Sequence, residues 1–342
     1  MLQAIAKELP MRSTYMGAAQ VKSIYLGGGT PSLLAPAAIE QLLTLIEHHF
    51  SLSGVLEITL EANPDDITLA KLQALRSIGI NRLSIGIQSF QDSVLQYLNR
   101  AHDRQQAMDS VTLARKAGFD NLSIDLMYAI PGTEKAMWEA NLATALQLRP
   151  EHIAAYCLTI EKNTAFGRWY QTGQLRAVQE ESAIQQFEIL VAALTTHQYV
   201  HYEVSNFSQP GYYAQHNMNY WKQGPYLGAG PAAHSYDGKT RQYNVAHNQR
   251  YIASLQQGRI PCTVEVLTRK EHINEYVMTS LRTQWGCDMA WLQERYGYTL
   301  EHNAYLQKLI DRKLVVIDGA RLLLTTQGKL LADQIAMDLF VN

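Results

Sequence analysis

The chain has 342 residues, 47% of them hydrophobic and 18% charged, with a formal net charge of −2. That length supports one large domain and a small one. The charge balance excludes a global basic field for nucleic acid, and no run of about 18 apolar residues marks a transmembrane helix. Residues Met1–Leu9 read as an amphipathic helix and not as a signal peptide. The three cysteines, Cys157, Cys262 and Cys287, stand far apart with no CxxC spacing. They support neither a disulfide scaffold nor a Cys-rich metal site, and imply reduced thiols and a cytoplasmic protein.

In chain order, Val21–Leu26 is an apolar strand that runs into Gly27-Gly28-Gly29-Thr30-Pro31. Glycines admit positive φ and let a backbone approach a ligand closely, although an ordinary tight turn uses them too. Residues Pro36–His49 form a helix with Ile39, Leu42, Leu43 and Ile46 on one face. A strand over Glu57–Leu60 ends in Glu61-Ala62-Asn63-Pro64, and Asp66 or Thr68 caps a helix running to about Ile78. Arg82–Ile87 is a strand ending at Gln88, followed by helices over Gln91–Leu98 and Asp103–Ala117. Leu122–Leu126 is a strand with Asp125 near its end, Glu134–Leu148 a helix, and Ile153–Leu158 a strand ending at Thr159-Ile160-Glu161.

Strands alternating with helices in units of about 30 residues imply a parallel sheet with right-handed crossovers. An open doubly wound sheet and a full or partial (β/α) barrel both satisfy that pattern. The barrel is favoured because every strand ends in a polar or permissive residue: the glycines, Glu61, Gln88, Asp125 and Thr159. Barrel sites draw on the carboxyl ends of several strands, whereas an open sheet concentrates its site at one switch point. Glu61 and Asp125 also lie within apolar runs, where a carboxylate is costly unless paired or bound.

After Glu161 the pattern is less regular. Ser182–Thr195 is a helix and Tyr199–Val204 a strand, followed by a loop rich in Tyr, Asn, Gly and His over residues 205–248. Such long loops usually carry function. Helices are expected at Lys270–Arg282, Met289–Tyr296 and Asn303–Lys313. Asp318-Gly319 marks a hairpin between Leu314–Ile317 and Arg321–Leu324, and Thr325–Leu339 is a last helix. This order suggests a winged-helix-like module acting as a lid or packing unit, since no basic recognition face is present. The expected division is a core at residues 1–165, barrel completion with the aromatic loop at 166–265, and a small domain at 266–342.

Several segments taken together resemble the radical S-adenosylmethionine (SAM) superfamily, in its oxygen-independent coproporphyrinogen oxidase-like branch. They are Tyr25-Leu26-Gly27-Gly28-Gly29-Thr30-Pro31-Ser32, Glu61-Ala62-Asn63-Pro64, Arg82-Leu83-Ser84-Ile85-Gly86-Ile87-Gln88-Ser89-Phe90, Leu98-Asn99-Arg100, Asp125-Leu126-Met127-Tyr128 and Leu158-Thr159-Ile160-Glu161. The resemblance implies a partial (β/α) barrel of α/β class that lacks its first strand, with a small C-terminal helical, winged-helix-like domain. It implies that Gly28, Gly29, Thr30 and Glu61 hold the methionyl amino group of SAM. Gln88, Arg100 and Asp125 match contacts to the methionine carboxylate and the ribose, and Thr159 a further SAM contact. Arg suits a carboxylate by bidentate pairing, and an acid suits a ribose diol.

Within that branch, His216-Asn217-Met218-Asn219-Tyr220-Trp221 matches the HNxxYW signature of the HemW-type haem chaperones. The resemblance assigns haem contact to His216, Asn217, Tyr220 and Trp221, with His234 as a second candidate in a Gly-rich segment. A histidine can ligate iron, and Tyr and Trp offer flat faces to a porphyrin. An aromatic loop packed on the barrel is the plain alternative. The implied partners are haem and a haem-acceptor protein, with a peripheral membrane encounter and a homodimer left open. The implied cofactors are SAM, haem and a [4Fe-4S] cluster. The family's CxxxCxxC cluster loop is absent from this sequence, which opens at a helix that would follow it; a truncated or mis-started sequence is expected. Coproporphyrinogen III oxidation by radical decarboxylation and a cluster-free remnant that binds SAM are the alternatives.

Overall fold

A computed structural model describes residues 1–341, with every side chain among them except that of Val55. The elements in chain order begin with α1 (Leu2–Met11), β1 (Val21–Leu26), α2 (Pro36–His49), β2 (Leu52–Ala62), α3 (Leu69–Ser77) and β3 (Arg82–Gln88). They continue with α4 (Asp92–Tyr97), α5 (Arg104–Lys116), β4 (Leu122–Tyr128), α6 (Lys135–Leu148), β5 (His152–Cys157), α7 (Ala165–Gln171) and α8 (Glu180–Thr196). Then come β6 (Val200–Glu203), β7 (Asn206–Ser208), α9 (Gln215–Trp221), β8 (His234–Tyr236), β9 (Thr240–Asn244), α10 (Asn248–Gln256) and β10 (Cys262–Val266). The chain ends in α11 (Arg269–Leu281), β11 (Cys287–Asp288), α12 (Met289–Tyr296), α13 (Leu306–Asp311), β12 (Val315–Asp318), β13 (Arg321–Leu324), α14 (Thr326–Leu330) and α15 (Ala332–Asp338).

The main sheet has seven strands in the order β1-β2-β3-β4-β5-β7-β6. The pairs β2/β3, β3/β4 and β4/β5 are parallel, and the β6–β7 hairpin closes the row antiparallel to β5. This is the expected α/β partial barrel, wound in sequence order through its first five strands. Two compact units divide the chain: residues 25–36 with 57–213, and residues 1–24 with 37–56 and 214–342.

In the first of these units, cross-strand register sorts the sheet into two faces. Leu60, Leu83, Ile85, Ile124, Leu126, Ile153 and Phe207 are fully buried apolar residues on one face. The other face carries Thr59, Arg82, Ser84, Ser123, His152 and Ser208 in cross-strand register, each at most 8% exposed. The alternation follows from the two-residue period of a strand. His152 lies between the Ser123 hydroxyl at 2.7 Å and the Tyr202 hydroxyl at 2.7 Å, and burial holds its imidazole well below the usual histidine range. Thr68 caps α3 by accepting from Lys71 N, and Asp103 with Gln106 forms a capping box on α5. Each such cap is worth about 1 kcal/mol.

In the second unit, α1 packs on α10 through Ala4, Tyr251 and Leu255, with Ile5, Val245 and Ile252 against them. Within that contact Glu8 is fully buried. Its carboxylate accepts from Asn244 Nδ2 at 2.7 Å, Gly230 N at 2.9 Å and the Tyr251 hydroxyl, and Arg12 pairs with it at 3.3 Å. A buried charge is tolerated when it is paired and hydrogen-bonded in this way.

The stretch 205–248, expected as a loop, carries β7, α9, β8 and β9. These elements are three to seven residues long, too short for a periodicity to register. Strand β9 is the middle of a three-stranded antiparallel sheet with β8 and β10. In the small domain, Asp318 pairs with Arg321 around Gly319 at φ 58°, as the hairpin signal predicts. Strand β11 adds a third strand that the sequence did not announce. The last helix breaks at Leu331 into α14 and α15. No helix among the described residues is long and apolar enough to cross a membrane.

Candidate functional site

The glycine loop after β1 is tied to the tip of β2 through Glu61. The Tyr25 hydroxyl donates to Glu61 Oε1 at 2.9 Å, and the Gly28 amide donates to Oε2 at 3.1 Å. Both carboxylate oxygens therefore have fixed directions. Gly27 is required by space: a Cβ there would lie 2.6 Å from the Tyr25 ring and 2.7 Å from Glu61 Oε1. Gly28 is required by conformation, at φ 77°, while a Cβ on Gly29 would meet nothing within 4 Å. Gly27, Gly28 and Gly29 are exposed, so their backbone is open to a ligand. Thr30 follows at the head of a single 3-10 turn and makes no capping bond with its side chain. Ser32 instead ties the loop to the segment after β2, donating to Asp66 at 2.7 Å.

At the tip of β3, Gln88 has φ 67° and the register against β4 shifts between Ile85 and Gln88. A non-glycine residue held there costs of order 1 kcal/mol and marks a position fixed by its surroundings. His102 supplies part of that fixing: it is 3% exposed and bonds the Ile87 carbonyl at 3.0 Å through Nε2. Arg100 donates from one terminal nitrogen to Asn63 Oδ1 and to the Gly86 carbonyl at 3.0 Å. A Cβ on Gly86 would lie 3.1 Å from Gln88 Nε2 and 3.4 Å from Arg100. Gln88, Asn63 and Arg100 thus converge over one glycine.

Asp125, half-buried on β4, accepts from Ser84 at 3.3 Å. Burial pushes its carboxyl up to about 7, Arg82 and Arg100 pull it down, and the Glu61 charge raises it. A neighbouring carboxylate raises an acid by like-charge repulsion. Glu61 and Arg100 therefore both act on Asp125 across the strand tips. Thr159 is not part of this set: β5 ends at Cys157, and Thr159 is exposed beyond it. The donor types fit SAM. A fixed carboxylate suits an ammonium, a guanidinium a carboxylate, a second acid a diol, and bare glycine backbone allows close approach.

The second candidate group lies in the other unit. His216 on α9 has its Nδ1 3.0 Å from Ser23 Oγ and its Nε2 2.9 Å from the Tyr220 hydroxyl one turn on. Tyr220 meets Tyr226 edge-on at 4.6 Å, and Tyr226 meets Tyr236 at 6.3 Å. This row of rings joins His216 to β8, where His234 is exposed two residues before Tyr236, with its ring 5.7 Å from Tyr243. Asn217 is half-buried on the same helix. Trp221 has the Arg282 guanidinium 5.3 Å over its ring, and its indole nitrogen is buried with no acceptor among the described residues. One face of Trp221 is thus already covered. Gly228 and Gly230 lie where the chain runs against β8 and where the Gly230 amide reaches Glu8.

The residues present do not fit an iron-sulfur cluster. Among the described residues no group of three His, Cys, Asp or Glu could hold a metal ion, and Cys157 is exposed whereas Cys287 is buried.

Tyr25, Asn63, Ser84, Arg82 and His102 were not singled out from the sequence. A signal existed for three of them: Arg82-Leu83-Ser84-Ile85-Gly86-Ile87-Gln88 alternates polar with apolar at a strand's period, and Tyr25 shares that period with Ser23. Nothing local in the sequence marks Asn63 or His102 as neighbours of Arg100 and the β3 tip.

Comparisons with known proteins speak to the family and the fold. Residues 6–144 match the model of the radical SAM superfamily, and residues 267–331 match the HemN C-terminal domain. A solved structure of coproporphyrinogen III oxidase HemN from Escherichia coli, described as a radical SAM enzyme, superposes with TM-score 0.86 over 99% of this chain and 82% of its own, at 23% identity. At that identity it shows the fold alone. The two matched segments and their order are those of a radical SAM protein with a HemN-type C-terminal domain. Heme chaperone HemW of Bacillus subtilis is 34% identical over 98% of this chain and 89% of its own length, and that of Lactococcus lactis is 34% identical over 90% and 82%. The chain belongs to the HemW family.

Proposed function

We propose that the chain binds haem through α9 and SAM at the strand tips, and passes haem to an acceptor protein. The observation that carries the reading is His216: a half-buried imidazole one turn from an exposed tyrosine, on a helix that repeats the HNxxYW pattern. Its relatives from B. subtilis and L. lactis are named heme chaperones, which supports the same reading. Iron taken by Nε2 requires the Tyr220 hydroxyl to turn aside, and Tyr220 is 37% exposed, with room to do so. SAM is held through Gly28, Gly29 and Thr30 backbone, Glu61, Gln88, Arg100 and Asp125, with Thr159 as an outer contact. SAM supplies an adenosyl sulfonium when bound; this chain's residues orient it and neutralise its charged ends. The reading places the protein in the cytoplasm, with a haem-acceptor protein as its partner.

The test mixes purified protein with haemin and follows the Soret band, with His216→Ala in parallel. Binding with a shifted band that His216→Ala abolishes is the expected result. Calorimetry with SAM on wild type and Glu61→Gln tests the second half; affinity falls by at least tenfold when a charged hydrogen-bond acceptor is neutralised. Haemin binding unchanged in His216→Ala overturns the α9 assignment.

A further inference from the structure

One cation inside the main sheet has no contact partner of its own. Arg82 opens β3 and is 2% exposed. Its Nε is buried with no hydrogen-bond partner, and no ion pair among the described residues includes it. Thr59, its cross-strand neighbour on β2, is fully buried, and its hydroxyl likewise has no partner among the described residues. A buried charge is costly unless an opposite charge compensates it. The register says where that compensation lies. One step up the same face, Ser84 stands between Glu61 and Ser123, and one step further along β4 stands Asp125. Each step is two residues, about 7 Å along a strand. Coulomb attraction spans such a gap when the space between is protein and not water.

Asp125 is the less settled of the two acids above Arg82. Glu61 has a donor on each oxygen, whereas Asp125 accepts from Ser84 alone among the described residues. Burial and the Glu61 charge both favour its protonated form; Arg82 is the strongest influence against it, ahead of the Ser84 bond and Arg100. The rings around Asp125 keep their charge near neutral pH. Tyr25 of β1 and Tyr156 of β5 have phenols raised by burial and by the neighbouring carboxylates, Glu203 of β6 among those acting on Tyr156. His152 of β5 is held low by burial and by Arg82. A carboxylate can accept from both hydroxyls of a diol, but a carboxylic acid spends one oxygen on its own proton. The charge state of Asp125 therefore decides what it can hold.

We propose that Arg82 is a positioning residue of the strand-tip site: a buried cation that keeps Asp125 a carboxylate, so that Asp125 can accept from the ribose diol of SAM. Arg82 acts through Asp125 from deeper in the sheet. The inference rests on the SAM reading above and adds to it the group that sets the pH range in which the site works.

SAM calorimetry from pH 6 to pH 9 tests this, with each variant compared with wild type at the same pH so that ionisation of the ligand cancels. Arg82→Met is expected to bind about fivefold more weakly at pH 7, with the deficit closing by pH 9, the pattern of a carboxyl displaced upward by about one pH unit. An apolar residue of similar size is commonly tolerated in place of a buried cation. Arg82→Gln, also neutral, is the second variant and is expected to behave alike. Arg82→Lys keeps the charge and is expected to stay within about twofold of wild type. In an Asp125→Asn background, Arg82→Met is expected to change nothing at any pH, because the group it acts through is gone. The side-chain carboxyl 13C resonance of Asp125, identified by its loss in Asp125→Asn, reads the same coupling without ligand and is expected to titrate about one pH unit higher in both neutral variants. A deficit equal at every pH, or an unmoved carboxyl titration, makes Arg82 merely structural and overturns the proposal while the SAM reading stands. A wild type that binds no SAM overturns the SAM reading, and the carboxyl titration then decides the hold of Arg82 on Asp125 by itself.

Discussion

Glu61 and His216 are both held by hydrogen bonds to side-chain hydroxyls, yet the two are built for different work. Glu61 takes its bonds from a glycine amide and from a tyrosine whose ring abuts Gly27, so the carboxylate is fixed before any ligand arrives. His216 has a side-chain hydroxyl on each nitrogen, one of them on Tyr220, which is 37% exposed and sits on the same short helix. The strand-tip group is pre-organised; the helical group is covered and must be uncovered. Pre-organisation favours affinity, whereas a cover that competes with the ligand favours release.

The sharpest break of this contrast is a methyl group in the glycine loop. Gly27→Ala drives a Cβ into Tyr25 and Glu61, and SAM affinity is expected to fall by at least tenfold by calorimetry. Gly29→Ala, with nothing within 4 Å, is expected to change affinity by less than about twofold. Equal effects from the two would mean that Glu61 is not held by the packing described.

A smaller effect is expected at the cover. Tyr220→Phe removes the hydroxyl on His216 Nε2, and haemin titration is expected to show affinity raised about threefold, the scale of one net hydrogen bond. Wild-type Tyr220 keeps its proton at neutral pH, since burial pushes its phenol up to about 12. Weaker binding in Tyr220→Phe would make the tyrosine a haem contact and not a cover.

The smallest effect is at Asp125, whose folded carboxyl sits near 7 where an ordinary aspartate sits at 3.8. Between those values the native state holds a proton that the unfolded chain has released. Stability from this group is therefore complete below the unfolded value and is lost as pH rises towards 7. Asp125→Asn is expected to melt progressively higher relative to wild type from pH 5 to pH 8, by about two to four degrees at the upper end. Over the same range SAM affinity should rise with pH in wild type, as the carboxylate forms, and stay flat in the variant. A parallel pH profile for both proteins would remove Asp125 from the ligand contacts.

Much of this was legible in the chain because strands and their tips write themselves locally. Glu61, Gln88, Arg100 and Asp125 each end or follow an apolar run, and the structure brings all four to one end of the sheet. The polar face was equally legible in the alternation of Arg82, Ser84 and Gly86 with Leu83, Ile85 and Ile87, but alternation alone does not say that both faces of a strand are buried. Thr159 shows the limit of such reading: β5 stops two residues earlier and leaves it exposed beyond the strand, and a strand tip cannot be placed to that accuracy from pattern alone. The stretch 205–248 was opaque because its elements take their order from partners distant in sequence. Tyr226 pairs with Tyr236, Asn244 with Cys262, and Gly230 with Glu8, a residue 222 positions away.

That last contact has a consequence for how the molecule comes into being. The unit containing Glu8 draws on residues 1–24, 37–56 and 214–342, while the unit containing Glu61 is residues 25–36 and 57–213. Synthesis therefore releases every residue of the second unit before it releases Gly230, Asn244 and Tyr251, the partners of Glu8. Until they emerge, α1 carries a carboxyl side chain whose burial waits on residues more than 200 positions downstream. The strand-tip residues are thus free to pack against one another first, and the seat of Glu8 closes last.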